Sequence, residues 1–408
     1  MSRSDFPAVC DIVAEQDLVL HKAIPRGPDH LLLDLRRPDG STVAGQWFAD
    51  HKRAHQVATS TSQRCQNQGV RLIEASGVVL QPGGADRRLR TLSRLVAASG
   101  SSLVAHRPER RAVVRQTSHD GGVVFTKAVR HDRLHDLLPA GQSPAIPGVG
   151  LPRVIGVDRA GCTVSTEALP GRLLHDLLGD SQLPEASLTS TALAVGAAVA
   201  RLHSAVPPMR TRHHDAAAEL ATTQRWWAHA AAYRLLDLDG PVAREGFAAA
   251  RRLLTGPAAP STYLHRDLHD RQLLVTASGE VGMLDFDLAS IGEPALDLAN
   301  LLVHLELRAR QGHCTWKRAR ACGLAVLQGY DPDPLVAMRL PGYALSTKLR
   351  LAAVYSFRPG GRQAVHDLLT LGLDAISDPG GQRSQLASHR SRHAASTHPA
   401  LNFDGYLA

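Results

Sequence analysis

The sequence predicts an α+β chain in which a small β-rich piece precedes a larger helical one, with a cleft at their junction. Three observations carry this. Runs of β-branched residues bounded by turn signals fill residues 100–170. Segments with apolar residues at helical spacing dominate from 171 to about 378. A Pro170-Gly171 pair separates the two.

Taken in order, residues 1–97 read as an independent or semi-independent segment. "LLLDLRRPDGSTVAGQWF" predicts two strands about a Pro38-Asp39-Gly40 turn. The polar stretch Arg64–Gly69 reads as a loop. "ADRRLRTLSRLVAA" sets Leu89, Leu92, Leu95 and Val96 on one side of a short helix. No residue pattern in this part carries chemistry. Next, "SLVAHRPERRAVVRQ" and "GGVVFTKAVR" predict strands about the turn "TSHDGG". A short helix is expected in "HDRLHDLL", then two strands in "PAIPGVGLPRVIGV" and "CTVSTEAL".

From 171 the helices are "LTSTALAVGAAVARLHSA", capped by Thr189 or Ser190, then "AAAELATTQRWWAHAAAYRLL" and "VAREGFAAARRLL". Short strands and loops occupy 262–297. Helices resume in "ALDLANLLVHLELRAR", "CTWKRARACGLAVLQGY" and "GYALSTKLRLAAVYS". Residues 379–408 are rich in Ser, His, Arg, Gly and Gln and are expected to be a disordered tail.

The chain has 408 residues and a net charge of +8. Its arginines are spread along the whole length, so nucleic acid is not an expected partner. No apolar run is long enough for a membrane span. Five cysteines, an odd number without zinc-like spacing, fit reduced thiols in the cytoplasm. Lysines number five against 41 arginines. A lysine that survives such a bias is a functional candidate, and Lys127 is the one between Lys52 and Lys317.

Charge reverses between Asp267 and Asp297. Seven acids (Asp267, Asp270, Glu280, Asp285, Asp287, Glu293, Asp297) face one obligate cation, Arg271. Packed carboxylates repel unless a cation or a shared proton relieves them. Oxygen donors without cysteine favour magnesium over zinc. In "HRDLHDRQLLVTASGEVGMLDFDLA", two short strands about the turn "TASGE" bring Gln272 near Asp285.

H-x-D-x-x-x-x-(N/Q) followed by Asp285-Phe286-Asp287, with "GEPALDLANLL" behind it, resembles the aminoglycoside phosphotransferase and choline kinase family over about residues 100–360. The resemblance implies a protein-kinase-like two-lobe fold. The β-rich N-lobe would be 98–170 and the helical C-lobe 171–378, with 1–97 an extra N-terminal α/β segment. It implies an ATP- or GTP-dependent phosphotransferase that uses Mg²⁺ and acts on a hydroxylated small molecule such as an aminoglycoside, another antibiotic or a sugar. Asp267 would be the catalytic base. Gln272 and Asp285 would hold the metal. Lys127 would contact the α/β-phosphates, and the backbone of Glu167, Ala168 and Leu169 the adenine. His265 and Asp297 would brace the catalytic loop, and Asp287 would stand behind the ligands or at a second metal. His269 and Asp270 would lie on the acceptor side, with Glu306 a further acceptor candidate.

Two departures stand out. The turn in "HRPERRAVVR" has no glycine, so phosphate cover must come from backbone or arginine. No Glu lies between Arg110 and Thr166, so Asp132 or Asp136 is expected to pair with Lys127. These departures keep a second reading open, a catalytically weak pseudokinase that binds nucleotide or acts as a scaffold. Residues 1–97 could be a lid, a dimerisation element or a separate binding domain.

Overall fold

The computed structural model describes residues 6–66, 69–117, 121–134, 146–209 and 211–377. The expected tail at 379–408 and the second half of "HDRLHDLL", Asp136 included, lie outside them.

The N-terminal segment is a five-stranded antiparallel sheet. Its strands are β1 (Val19–Gly27), β2 (His30–Arg36), β3 (Thr42–Phe48), β4 (Arg71–Ile73) and β5 (Val78–Gln81), in the order β1-β2-β3-β5-β4. The Pro38-Asp39-Gly40 turn joins β2 and β3 as expected, with Gly40 at φ 80°. A helix over His51–Arg64, absent from the sequence reading, covers one face with Ala54, Val57 and Ala58 against Phe48 and Val79. Its apolar stripe is thin, which hid it. Asp50 caps it by accepting from Lys52 N–H.

The opposite face gives the main correction to the domain reading. Leu31, Leu33, Leu35, Trp47 and Leu80 share one core with Trp227, Tyr233, Phe247, Leu349 and Phe357 of the helical lobe. Ala23 N–H donates to Phe357 O at 2.9 Å, and Tyr233 Oη donates to Gly27 O at 3.0 Å. The described part of residues 1–97 thus shares an apolar core with the C-lobe. Trp227 is core, its Nε1–H donating to Leu349 O at 2.8 Å.

The second sheet has five strands: β6 (Ser101–Arg107), β7 (Arg111–Thr117), β8 (Val123–Val129), β10 (Val154–Asp158) and β11 (Thr163–Glu167), ordered β10-β11-β8-β7-β6. The run "VVFTKAVR" becomes β8, paired on both sides, with Lys127 opposite Val113 and Val164. A third sheet carries β12 (Arg172–Leu173), β14 (Leu273–Val275), β15 (Val281–Met283) and β9 (Val149–Gly150). The two strands predicted about "TASGE" are β14 and β15, with Leu273 opposite Met283.

The C-lobe helices run Glu185–Ser204, Ala216–Ala232, Pro241–Leu253, Ala295–Arg310, Trp316–Tyr330, Pro334–Tyr355 and Arg362–Ser377. Two boundaries differ from expectation. The first of these helices begins before Thr189, whose hydroxyl donates to Glu185 O instead of capping. The sixth starts at Pro334, capped by Asp333, and continues through Pro341. A proline removes one backbone donor, but burial against neighbouring helices carries the helix past it.

The helices Glu185–Ser204 and Trp316–Tyr330 touch backbone to backbone at glycines. A Cβ on Gly196 would lie 2.1 Å from Val326 O, and one on Gly329 would lie 2.1 Å from Leu193 O. Gly196→Ala is expected to destabilise the chain by about 1–3 kcal/mol through forced separation of the pair. Urea unfolding of the variant checks this, and an unchanged midpoint would contradict it.

Candidate active site

The loop that carries Asp267 lies between β13 (Thr262–Leu264) and β14, and it is held by buried polar groups. Asp297, in the first turn of Ala295–Arg310 and fully buried, accepts from the His265 and Arg266 amides at 2.7 Å each and from His203 Nε2 at 3.2 Å. These charge-assisted bonds hold Arg266 at φ 67°, a left-handed backbone that an L-residue adopts at a cost. His265 Nε2 bonds Leu284 O at 2.6 Å, and Asp267 N–H meets His265 Nδ1 at 3.3 Å. His265 thus joins the loop to the segment that carries Asp285. Asn300 Nδ2 donates to Leu268 O at 2.8 Å. The result is a rigid loop whose Asp267 carboxylate has, among the described residues, no hydrogen-bond or ion-pair partner.

Asp285 follows β15 directly and takes φ 57°. Leu284 N–H donates to Gln272 O at 2.9 Å, so the β14–β15 ladder extends to the residue before Asp285. From the other lobe, Lys127 Nζ reaches Asp287 Oδ1 at 2.6 Å and Asp285 Oδ1 at 3.3 Å. Arg111 pairs closely with Asp287 and stands 3.8 Å from Asp285. Burial alone would raise the Asp285 pKa, but Lys127 and Arg111 outweigh it and hold it at about 2. Of the two expected stand-ins for the missing glutamate, only Asp132 falls within the described residues. Asp132 pairs with Arg130, and Asp136 lies outside the described residues. Lys127 instead uses the carboxylates across the cleft.

These groups line a cavity of about 680 Å³. Its walls include Val123, Phe125, Val154, Leu274 and Leu284, the hinge Glu167, Ala168 and Leu169, and the polar Arg107, Arg111, Lys127, Gln272, Asp285 and Asp287. The glycine-free turn supplies cations here. Arg107 is influenced by Asp285, Asp267 and Asp287, and Arg111 bonds Asp287. The accessory segment clamps this turn. Buried Asp86 accepts from Glu109 N–H at 2.7 Å and from His106 Nε2 at 2.9 Å. Arg87 grips the Glu109 carboxylate at 2.7 and 3.1 Å.

Among the described residues no group of three or more His, Cys, Asp or Glu side chains is placed to hold a metal ion alone. Two carboxylates and an amide oxygen are nevertheless a set that suits magnesium, which completes its shell with phosphate oxygens and water. Lys127 and Arg111 already place positive charge against Asp285 and Asp287, so the residues fit a cation at this point.

The acceptor-side candidates divide. His269 is half-buried. Its ring lies 4.9 Å from that of His304, and its pKa is lowered by burial against the opposing pull of Asp267. Asp270 is a correction, for it is fully buried and turned away from the cleft. It binds Arg308 at 2.8 and 3.1 Å and His175 at 2.5 Å. Glu306 is likewise buried, paired with Lys348 at 3.2 Å. Asp270, three residues after Asp267, is buried at 0% exposure while Asp267 is only partly buried. Sequence reading also missed Lys22, Ile24, Leu32 and Asp34, which line the cavity from the accessory segment. The scarcity of lysine, which singled out Lys127, applied equally to Lys22.

Two lobes, a lysine bridging to an Asp-Phe-Asp element and a braced loop carrying a free aspartate together define a small-molecule phosphotransferase of the kinase type. Residues 98–334, more than half of the chain, match the phosphotransferase enzyme family, and the chain belongs to it. Similar solved structures include macrolide 2'-phosphotransferase MphH from Brachybacterium faecium, 20% identical over 70% of this chain and 94% of that one, TM-score 0.44. Choline kinase LicA from Streptococcus pneumoniae is 12% identical over 70% and 96%, TM-score 0.47. Aminoglycoside phosphotransferase APH(3'')-Id from Streptomyces rimosus, in complex with ADP and streptomycin, is 19% identical over 64% and 96%, TM-score 0.45. No curated protein sequence matches significantly. Among the described residues no helix is long and apolar enough to cross a membrane.

Proposed function

We propose that this chain transfers the γ-phosphate of ATP or GTP to a hydroxyl of a small molecule, an aminoglycoside, another antibiotic or a sugar-like acceptor. The observation that carries this reading is Lys127 Nζ set between Asp285 and Asp287 across the cleft, on the cavity that Gln272 also lines. Asp267 takes the proton of the acceptor hydroxyl as its oxygen bonds to phosphorus and the bond to the nucleoside diphosphate breaks. Lys127 and Arg111 compensate charge on the phosphate oxygens. The apolar walls take the base. The Glu167 and Ala168 amides already donate to Arg153 O and Val123 O, so the base is left the hinge carbonyls and the Leu169 amide. Gln272 and Asp285 would hold Mg²⁺, with Asp287 beside them. When bound, the ion neutralises charge developing between the β- and γ-phosphates.

Incubation with MgATP or MgGTP and a panel of hydroxylated small molecules tests the reading by mass spectrometry. The expected product has gained one phosphate. Failure of every acceptor, with no nucleotide bound, would reject it. The glutamine at the metal position gives a sharper prediction. Gln272→Asn keeps an amide oxygen and is expected to retain Mg²⁺-dependent turnover, whereas Gln272→Leu is expected to lose it. Equal turnover in all three chains would show that residue 272 holds no metal.

A further inference from the structure

One wall of the cavity belongs to neither lobe. In the β1–β2 hairpin, Lys22 lies opposite Asp34 and Ile24 opposite Leu32, and all four line the cavity. Strand alternation sets this face. Leu31, Leu33 and Leu35 enter the core shared with the helical lobe, Leu33 touching the cavity as well, and Leu32 and Asp34 alternate with them. Leu32 is 3% exposed yet joins none of the apolar core clusters among the described residues.

Lys22 is one of the five lysines that survive in an arginine-rich chain. Its Nζ is 3.5 Å from Asp34 Oδ2, a contact longer than a strong charged hydrogen bond, and the lysine side chain keeps 35% of its exposure. The contact orients the amine without consuming its donors, of which an ammonium has three. Burial, with Arg107 and Arg358 nearby, lowers the Lys22 pKa, and Asp34 opposes that shift. Arg107 in turn acts on Asp267, Asp285 and Asp287. Lys22 and Arg107 line the same cavity as Asp285 and Asp287. Immediately around the Lys22 amine, Lys22, Arg107 and Arg358 outnumber Asp34, although Arg107 also answers to Asp267, Asp285 and Asp287. That is the environment for an anion, and a compact ammonium suits a phosphate as a point charge.

We propose that Lys22 is a phosphate-binding residue, laid by the accessory hairpin against the terminal phosphate of the nucleoside triphosphate, across the cleft from Lys127. The inference rests on the nucleotide reading above. It makes residues 1–97 part of the binding site: the hairpin supplies Lys22, and the same segment clamps the turn that carries Arg107 and Arg111.

Calorimetric titration of the full chain with MgATP, MgADP and adenosine tests it in wild type, Lys22→Met and Lys22→Arg. Lys22→Met is expected to weaken MgATP about tenfold or more, MgADP less, and adenosine not at all. Lys22→Arg is expected to keep most of the MgATP affinity. Unchanged adenosine binding reports an intact pocket, and Lys22→Gln reads the same quantity should Lys22→Met fail to fold. Wild-type MgATP affinity in the neutral variants overturns the inference alone. Equal losses for MgATP and adenosine also overturn it, because they mark a structural role. A wild-type chain that binds neither MgATP nor MgGTP defeats the nucleotide reading instead.

Discussion

Asp267→Ala is expected to lower phosphoryl transfer by about 10²–10⁴-fold, the range for loss of a positioned base, while MgATP binding persists. The structure separates these two quantities. Asp267 stands on the loop braced by Asp297 and His265, whereas the cavity that would take the nucleotide is lined by Lys127, Gln272, Asp285 and the hinge. Its carboxylate carries no ion pair among the described residues, so removing it leaves no buried cation uncompensated. The variant should therefore fold with its wild-type melting temperature. Rates with the acceptor found by mass screening, set beside calorimetric affinity for MgATP, check both halves. Retained turnover would remove Asp267 from the chemistry. Lost binding would show that it shapes the nucleotide site instead.

Asp270→Asn is expected to have the opposite signature, a large loss of stability of about 3–5 kcal/mol. Asp270 is fully buried, and both of its oxygens are taken by Arg308 and His175. Removing the charge strands the Arg308 guanidinium, whose side chain is only 7% exposed. Burial alone would raise the Asp270 pKa, but hydrogen bonds from His175 and Arg308 hold it well below the ordinary range. A depressed carboxylate pKa contributes stability that is complete above the unfolded value, about 3.9, and lost as pH falls through the folded one. The gap between wild type and Asp270→Asn should thus be flat near neutrality and shrink only in strong acid. Urea unfolding at pH 7 and at pH 3 measures both points. A gap that widens in acid would contradict the assignment. Because Asp270 ties the catalytic loop to the helix Ala295–Arg310, activity should fall with stability in this variant, whereas Asp267→Ala loses activity alone.

Much of the fold was legible because local patterns agree with it. The β-branched run around Lys127 became a fully paired strand, and the apolar runs about "TASGE" became β14 and β15. The helix at Ala295–Arg310 begins and ends where its pattern does. Elements with weak patterns were lost. The helix His51–Arg64 has a thin apolar stripe, and Pro334–Tyr355 hides its first turns behind Pro341. At the site, spacing was enough to bring Gln272 and Asp285 to one cavity. It could not say which way a side chain turns, so Asp270 was read toward the acceptor while it is folded inward onto Arg308.

By itself, the sequence determined the α+β order, the kinase-like motif and the oxygen-donor chemistry, since these depend on residue type and on separations of a few positions. Tertiary structure alone decided what pairs over long separations. It set Lys127 against Asp285 and Asp287, some 160 residues away, where a local acid had been expected. It also turned the accessory segment into a wall of the cavity. The physical reason is burial. The apolar face of that sheet, with Leu31, Leu33 and Leu35, finds its cover on the helical lobe, and seating it there brings Lys22 and Asp34 to the cleft.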